Sequence, residues 1–118
     1  MKVLVCGGRD FADLKFIFHI LDEFHRKNTI TELIEGNAKG VDRISGFWAR
    51  HRGIKNTKYP ANWKRQGVAA GIIRNQQMLD RGKPDVVIAF PGGRGTADMV
   101  ARSERNGFKV IRIEHKWR

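Results

Sequence analysis

The sequence predicts an α/β protein, a Rossmann-like, doubly wound parallel sheet of about five strands with helices on both faces. Short apolar runs alternate along the chain with longer segments whose apolar residues recur every three or four positions. Such alternation produces right-handed βαβ crossovers and hence a parallel sheet. The 118 residues are 41% apolar and contain no low-complexity tract, so we expect one domain over residues 1–118.

The first half of the chain predicts two strand–helix pairs. VLVC, at residues 3–6, is typical of a strand that is buried on both faces. A helix with one apolar face follows it, with Asp13 as its predicted N-cap. ITELIEG predicts the second strand, and the next helix runs from about Val41 to Arg52 and stops at Gly53. The residues of this second helix that we expect to face inward are Ile44, Phe47 and Trp48.

The second half predicts three further strands. IKNTKYP has the pattern of an edge strand that ends at Pro60. ANWKRQG leads into a third helix through Ile72, Ile73, Met78 and Leu79, which ends at RGKP. DVVIAF is the most strand-like run in the chain, a helix from Thr96 to about Asn106 follows it, and FKVIRI predicts the last strand. Five strands thus alternate with four predicted helices.

The composition limits the classes of protein that remain. Lys and Arg number 23 against 12 Asp and Glu, and the resulting net charge of +11 favours anionic partners such as nucleotides or nucleic acid. No apolar run approaches the ~20 residues that span a bilayer, and the N-terminus lacks the pattern of a signal peptide. We therefore expect a cytoplasmic protein with no membrane partner. Cys6 is predicted to be a buried thiol, and we expect no metal site and no cofactor.

Glycine-rich turns follow three of the predicted strands. CGGRD follows the first strand, EGNAKGVD the second and PGGRGT the fourth. In a doubly wound sheet, ligands bind beyond the carboxyl ends of the strands, where the strand order reverses. Glycine lets backbone N–H groups approach an oxyanion, and the helix that starts there directs its partial positive charge at the same place. The sequence therefore predicts an anion site at this edge, although it contains neither GxxxxGK(S/T) nor GxGxxG.

The three turns supply most of the candidate ligand contacts. These are Gly7, Gly8, Arg9, Gly36, Gly40, Asp42, Pro91, Gly92, Gly93, Arg94, Gly95 and Thr96. The planar guanidinium groups among them can grip phosphate through two hydrogen bonds. Asp42 either caps its helix or binds a ribose hydroxyl, whereas Asp10 favours a local structural role. Tyr59 and Trp63, in YPANWK, either stack on a base or pack in the core or an interface.

Several segments resemble a known family. RNQQM, at residues 74–78, and PGGRGT, at residues 91–96, are similar to the RKxxM and PGGxGTxxE motifs of the cytokinin-activating phosphoribohydrolases, SLOG proteins often misannotated as lysine decarboxylases. GGRDF, GVDR, YPANWKRQG, AGIIRNQQML and IAFPGGRGTADM resemble more closely the small YspA-like branch of that superfamily. The resemblance covers residues 7–99. It implies a SLOG-type fold that binds a nucleotide or a nucleotide-derived ligand, for example one that is ADP-ribose-like.

The resemblance also implies roles for single positions. The PGGRGT loop matches the loop that holds the phosphate of a nucleoside monophosphate, and Arg74 matches an arginine that serves binding or catalysis. Asn75, beside it, is a further candidate ligand contact. The glutamate that serves hydrolysis of the N-glycosidic bond is replaced by Met99. Because a thioether neither stabilises an oxocarbenium-like transition state nor activates water, we expect no hydrolysis by that route.

Three functions remain open. The one we expect is a binding module that senses or sequesters a nucleotide-derived small molecule. An alternative is a nucleotide-processing N-glycosidase or phosphoribohydrolase in which Asp98, Asp42 or Glu35 supplies the missing carboxylate. Another is binding of single-stranded nucleic acid, favoured by the charge, by YPANWKR and by the similarity of the SLOG fold to the DNA-processing protein DprA. Homo-oligomers are common in the resembling families, and the candidate contact residues here are Phe47, Trp48 and Trp63.

Overall fold

The computed structural model describes residues 1–115 and contains a parallel sheet of five strands with helices on both faces. The strands are β1 (Lys2–Cys6), β2 (Glu32–Glu35), β3 (Lys55–Lys58), β4 (Val86–Ala89) and β5 (Val110–Arg112). The helices are α1 (Leu14–Lys27), α2 (Val41–His51), α3 (Trp63–Gln66), α4 (Ala70–Gly82) and α5 (Arg94–Arg105). The predicted fold class is confirmed. The last three positions of the predicted domain, 116–118, lie outside the described residues.

The strand order is β3-β2-β1-β4-β5, and every neighbouring pair is parallel. The chain moves outward from β1 to β3 and then crosses back over the sheet to β4. Because such crossovers are right-handed, this reversal places α1 and α2 on one face and α4 and α5 on the other. The predicted ligand edge therefore lies at the carboxyl ends of β1 and β4, where the order reverses.

The central position of β1 in the sheet explains why its sequence is an unbroken apolar run. Successive side chains of a strand point to opposite faces of the sheet. Val3 and Val5 belong to the apolar layer under α1 and α2, whereas Leu4 and Cys6 belong to the layer under α4 and α5. All four side chains are buried. The prediction of a strand covered on both faces is confirmed, and so is the burial of the Cys6 thiol.

The observed helix ends refine the predicted ones. Asp13 is the N-cap of α1, because its Oδ1 accepts a hydrogen bond from Phe16 N at 3.1 Å. Helix α5 begins at Arg94 rather than at Thr96, since Gly93 takes the N-cap position. The final glycine and the threonine of PGGRGT thus belong to the first turn of a helix, where backbone N–H groups have no partner within the helix.

The sequence predicted four helices, and residues 1–115 contain five α-helices. WKRQ forms the separate short helix α3, and a 3-10 turn at Gly67–Ala69 joins it to α4. Gly67 has a φ of +59°. This left-handed conformation ends α3, so the two segments do not merge into one continuous helix.

The prediction for the inward face of α2 was wrong at one position. Trp48 is fully buried, and its Nε1 donates to Asp22 Oδ1 at 2.8 Å, whereas Phe47 is 50% exposed. Adjacent helical residues point about 100° apart, so only one of the two can point directly at the sheet. Burial also removes Trp48 from the candidate residues for an oligomer contact. Among residues 1–115, no helix is long and apolar enough to cross a membrane.

The neighbouring aromatic residues of α2 give a matched test of this core. Trp48→Ala should lower the free energy of unfolding by about 3–5 kcal/mol, because it leaves a large cavity and removes one of the hydrogen bonds to Asp22. Phe47→Ala should lower it by less than about 1 kcal/mol, since half of that side chain is in solvent. Urea titrations followed by far-UV circular dichroism measure both values. Equal losses in the two variants would contradict the assigned helix orientation.

Candidate functional site

A cleft opens at the carboxyl ends of β1 and β4, where the strand order reverses. Its volume is about 900 Å³, which is within the range of small-ligand sites. The lining comes from the turn after β1, the start of α2, the segment from α3 to α4, and the loop after β4 with the first turns of α5. The structure thus brings residues of all three glycine-rich turns to one place.

The first and third turns touch through their backbones. Gly8 N donates to Pro91 O at 2.9 Å, and a Cβ on Gly8 would lie only 3.0 Å from the Cα of Gly92. A Cβ on Gly92 would in turn overlap Thr96 Oγ1 and Gly8 N. Side chains at these positions would therefore push the two turns apart. Their glycines are required by close packing, and the same absence of side chains leaves the backbone open to the cleft.

The second turn packs beneath the first. Val41 N donates to Gly8 O at 3.3 Å, and a Cβ on Gly40 would overlap the carbonyl oxygens of Gly8 and Arg9. Gly40 also has a φ of +83°, a conformation that favours glycine. Neither Gly40 nor Gly36 lines the cleft. These two predicted ligand contacts instead support the lining residues from behind.

Arg74 reaches from α4 to the start of the second turn. Its Nη1 donates to Gly36 O at 2.5 Å, and its Nε donates to Asn75 Oδ1 at 3.1 Å. A Cβ on Gly36 would lie 2.5 Å from Nη1, so glycine at this position makes room for the guanidinium group. Burial lowers the pKa of Arg74, and the nearby Asp42 carboxylate opposes this effect. The guanidinium group remains a lining group of the cleft.

Asp42 lies in the first turn of α2, but it is not the helix cap, since Gly40 takes that position. Its Oδ2 accepts a hydrogen bond from Ala38 N at 3.2 Å, so the carboxylate orders the second turn. Burial raises the pKa of Asp42 to about 6, and the charge of Glu35 raises it further, against the lowering effects of the Ala38 N–H and Arg74. Asp42 also lines the cleft, which leaves the predicted ribose contact geometrically open.

Asp98 lines the cleft but is engaged by other side chains. Arg102 donates to both of its carboxylate oxygens, at 3.0 and 3.1 Å, and Asn75 Nδ2 donates to Oδ2 at 3.0 Å. Burial alone would raise the pKa of Asp98, but the hydrogen bonds from Arg102 and Asn75 outweigh it and lower the pKa. The group is therefore held as a paired carboxylate, which suits it poorly to replace a catalytic glutamate.

Asn75 links this pair to the PGGRGT loop and to Arg74. The amide is buried, and its Nδ2 also donates to Gly95 O at 3.3 Å. One side chain thus contacts the first turn of α5, the Asp98 carboxylate and the guanidinium group of Arg74. In the sequence, Asn75 was a candidate ligand contact only because it stands beside Arg74. That it joins Arg74 to Asp98 and Gly95 becomes visible only when α4 packs against α5.

Glu35 lies away from the cleft, although it was a candidate catalytic acid. The carboxylate is fully buried and accepts hydrogen bonds from Lys58 Nζ at 2.8 Å, from Asn56 Nδ2 at 3.2 Å and from the backbone of Asn37. These donors offset the cost of burying the charge. Asn37 has a φ of +60°, so Glu35 also stabilises the left-handed start of the second turn. Its position gives it a structural role.

The floor of the cleft is apolar. Met99, which stands where the resembling hydrolases have glutamate, is only 1% exposed and packs in one apolar layer with Cys6 and Met78. Burial and the charge of Asp42 raise the pKa of the Cys6 thiol far above its ordinary value. The thiol is therefore not a nucleophile at neutral pH. The floor contributes shape and low polarity rather than a reactive group.

Exposed cations stand at the mouth of the cleft. Arg94 lies in the first turn of α5, and the Arg9 guanidinium lies 5.7 Å from the ring centroid of Trp63. Neither arginine forms an ion pair within residues 1–115. Asp10 is exposed at the same rim, whereas Tyr59 does not line the cleft and packs in the layer under α4 and α5.

An apolar wall lines the same cleft as the PGGRGT loop, and most of it was not predicted from the sequence. Trp63 is 49% exposed, Ile72 49% and Val68 98%, and all three line the cleft. Ile72 lies seven residues before the buried Leu79 on α4, yet it is exposed and lines the cleft. An excess of apolar residues before the core-packed part of α4 was the available signal.

Two comparisons with known proteins agree with this structure. The model of the YspA, cpYpsA-related SLOG family matches residues 1–66, more than half of the chain. This match contains the first two glycine-rich turns. The Gene 61 protein of Mycobacterium phage D29 is 34% identical over 123 residues, which cover 98% of this chain and 98% of that protein. The chain therefore belongs to the YspA, cpYpsA-related SLOG family, and this membership suggests a role in binding or processing a nucleotide-related ligand.

Proposed function

We propose that the protein binds a nucleotide-derived phosphate ligand in the cleft and releases it unchanged. The observation that carries this proposal is the convergence of the PGGRGT loop, at the start of α5, with three arginines. A helix N-terminus offers unpartnered N–H groups and a partial positive charge to an anion. Arg74 lines the cleft beside the second turn, while Arg9 and Arg94 line it without ion-pair partners among residues 1–115. Phosphate is the anion that suits this combination.

The opposite wall fits the rest of such a ligand. Trp63, Val68 and Ile72 present an exposed apolar surface to the same cleft. A base or a comparable flat apolar group would cover that surface while the phosphate occupied the loop. The Arg9 guanidinium, beside the indole of Trp63, adds a positive charge next to this apolar surface. The proposal therefore requires a ligand that has an anionic end and an apolar end.

The carboxylates argue against hydrolysis by the usual route. Met99 replaces the glutamate, Asp98 is paired with Arg102, and Glu35 does not line the cleft. Asp42 alone keeps a second candidate function open, that of an N-glycosidase or phosphoribohydrolase. It lines the cleft and has a pKa of about 6, a value that suits a general acid or base near neutral pH.

A single incubation experiment distinguishes binding of the ligand from its hydrolysis. With AMP or ADP-ribose, we expect the melting temperature to rise and each compound to be recovered unchanged, as measured by differential scanning fluorimetry and liquid chromatography. If free base or ribose 5-phosphate is released, and Asp42→Asn abolishes that release, the second candidate function is established instead. Stabilisation by inorganic phosphate alone, with no further effect of the nucleoside, would contradict the role of the apolar wall.

Arg74 gives the sharpest mutational test of the site. Arg74→Ala removes a charge-assisted contact to phosphate, so the affinity for AMP or ADP-ribose should fall about 10- to 100-fold. Arg81→Ala removes an exposed arginine from the same helix, away from the cleft, and should bind as the unmodified protein does. Isothermal titration calorimetry compares them, and circular dichroism confirms that both fold. Equal affinities in the two variants would place the ligand elsewhere.

The raised pKa of Asp42 predicts a pH dependence of stability. The folded-state pKa is about 6 and the ordinary value is 3.8, so between these pH values the native state holds a proton that the unfolded state has lost. The contribution of Asp42 to the free energy of unfolding therefore falls as pH rises through this window. In Asp42→Asn this fall disappears, so the variant should gain about 2 kcal/mol relative to the unmodified protein between pH ~4 and ~7.

Urea titrations at several pH values across this window measure that difference. The comparison uses the change with pH rather than the absolute stability, so any fixed effect of the asparagine cancels. Asp80→Asn is a suitable control, because Asp80 is exposed on α4 and does not line the cleft. Parallel profiles for Asp42→Asn and the unmodified protein would show that the carboxylate is not desolvated as the structure indicates.

A further inference from the structure

A second surface with distinctive chemistry lies on the other side of the sheet from α4 and α5. We call it the cationic aromatic face, and its residues are Phe18, Arg43, Phe47, Arg50 and His51. Phe47 is 50% exposed, and its ring centroid lies 6.2 Å from that of Phe18 and 5.8 Å from that of His51. The Phe47 and His51 rings are nearly parallel, with 12° between their planes. None of these residues lines the cleft.

Four of these residues form one stripe along α2. Arg43, Phe47, Arg50 and His51 stand at positions i, i+4, i+7 and i+8, which share one side of a helix, and all four are exposed. Arg43 and Arg50 are separated by about 10 Å along the helix axis, with the Phe47 ring between them. The stripe thus presents a flat apolar group with a guanidinium group on each side of it.

The two guanidinium groups keep their full positive charge. Arg43 Nε donates to the Asn37 carbonyl oxygen at 3.1 Å, and Arg50 Nη1 donates to Asn56 Oδ1 at 2.6 Å, both neutral acceptors. The carboxylates of the neighbouring α1 are already paired, Asp22 with Arg52 and Glu23 with Arg26. Within the described residues, neither Arg43 nor Arg50 forms an ion pair.

The exposed aromatic ring and the two arginines beside it limit which partners could bind this face. A symmetric contact with a second copy of the chain would bring these arginines against their own counterparts, which costs free energy. A polyanion with flat apolar groups satisfies both features, because its charges meet the arginines and its rings cover the aromatic platform. We propose that the cationic aromatic face binds single-stranded nucleic acid, with a base stacked on Phe47 and phosphates beside Arg43 and Arg50.

Fluorescence anisotropy on the whole chain tests the proposal with two probes, a labelled oligothymidylate and an abasic oligomer with the same number of phosphates. Phe47→Ala should weaken oligothymidylate binding about 10-fold and leave binding of the abasic oligomer unchanged, since only stacking is lost. Phe47→Trp should keep the affinity. Arg43→Ala and Arg50→Ala should each reduce the slope of log K against log salt by about 0.7.

Trp63→Ala is the matched control, because Trp63 is 49% exposed but stands at the cleft. It should bind oligothymidylate as the unmodified protein does. The proposal is overturned if Trp63→Ala weakens binding and Phe47→Ala does not, since the strand would then lie in the cleft. It is also overturned if Phe47→Ala affects both probes equally, or if sedimentation velocity shows a dimer that Phe47→Ala dissociates.

Discussion

The contact between the turns that follow β1 and β4 is the constraint on which the cleft depends. Gly8 N donates to Pro91 O, and the two backbones approach so closely that a Cβ on Gly92 would overlap Gly8 N, while one on Gly8 would press on the Gly92 Cα. The second turn is fixed to the same point through Val41 N and Gly8 O. Three glycine-rich turns from separate strands therefore meet, and the amide groups and arginines that follow them face one cavity. Packing requires these glycines even before a ligand is considered.

Around the cleft, two arginines lack ion-pair partners among residues 1–115, whereas two of the nearby acids are paired within the protein. Glu35 and Asp98 each accept hydrogen bonds from several donors, which keeps them paired within the protein. Arg9 and Arg94, by contrast, reach the rim without ion-pair partners among residues 1–115. The exceptions are Asp10, which is exposed at the rim, and Asp42, whose pKa is about 6. An anion bound nearby would favour the protonated form of the Asp42 carboxyl group, so repulsion between the two would diminish.

The sequence predicted the features that depend on local patterns and missed those that depend on packing. Unbroken apolar runs identified β1 and β4, and glycine clusters after β1, β2 and β4 indicated the edge at which the cleft lies. Three features depend instead on how α2, α4 and α5 pack on the sheet. They are the pairing of Asp98 with Arg102, the burial of Glu35 and the exposure of Ile72 in the cleft. Phe47 and Trp48 are adjacent and similar in chemistry, so only the helix orientation decides which is buried.

The apolar floor connects the loss of the glutamate with the proposed binding function. Met99 packs beside Cys6 and Met78, and burial in this region raises the pKa of both the Cys6 thiol and the Asp42 carboxyl group. A carboxylate in place of Met99 would be desolvated in the same way and would need a cation to stay ionised. In the proposed binding function, the low polarity of the floor would strengthen the attraction between a phosphate and Arg74. Met99, at the position where the resembling hydrolases have glutamate, thus fits a site that is proposed to bind its ligand without cleaving it.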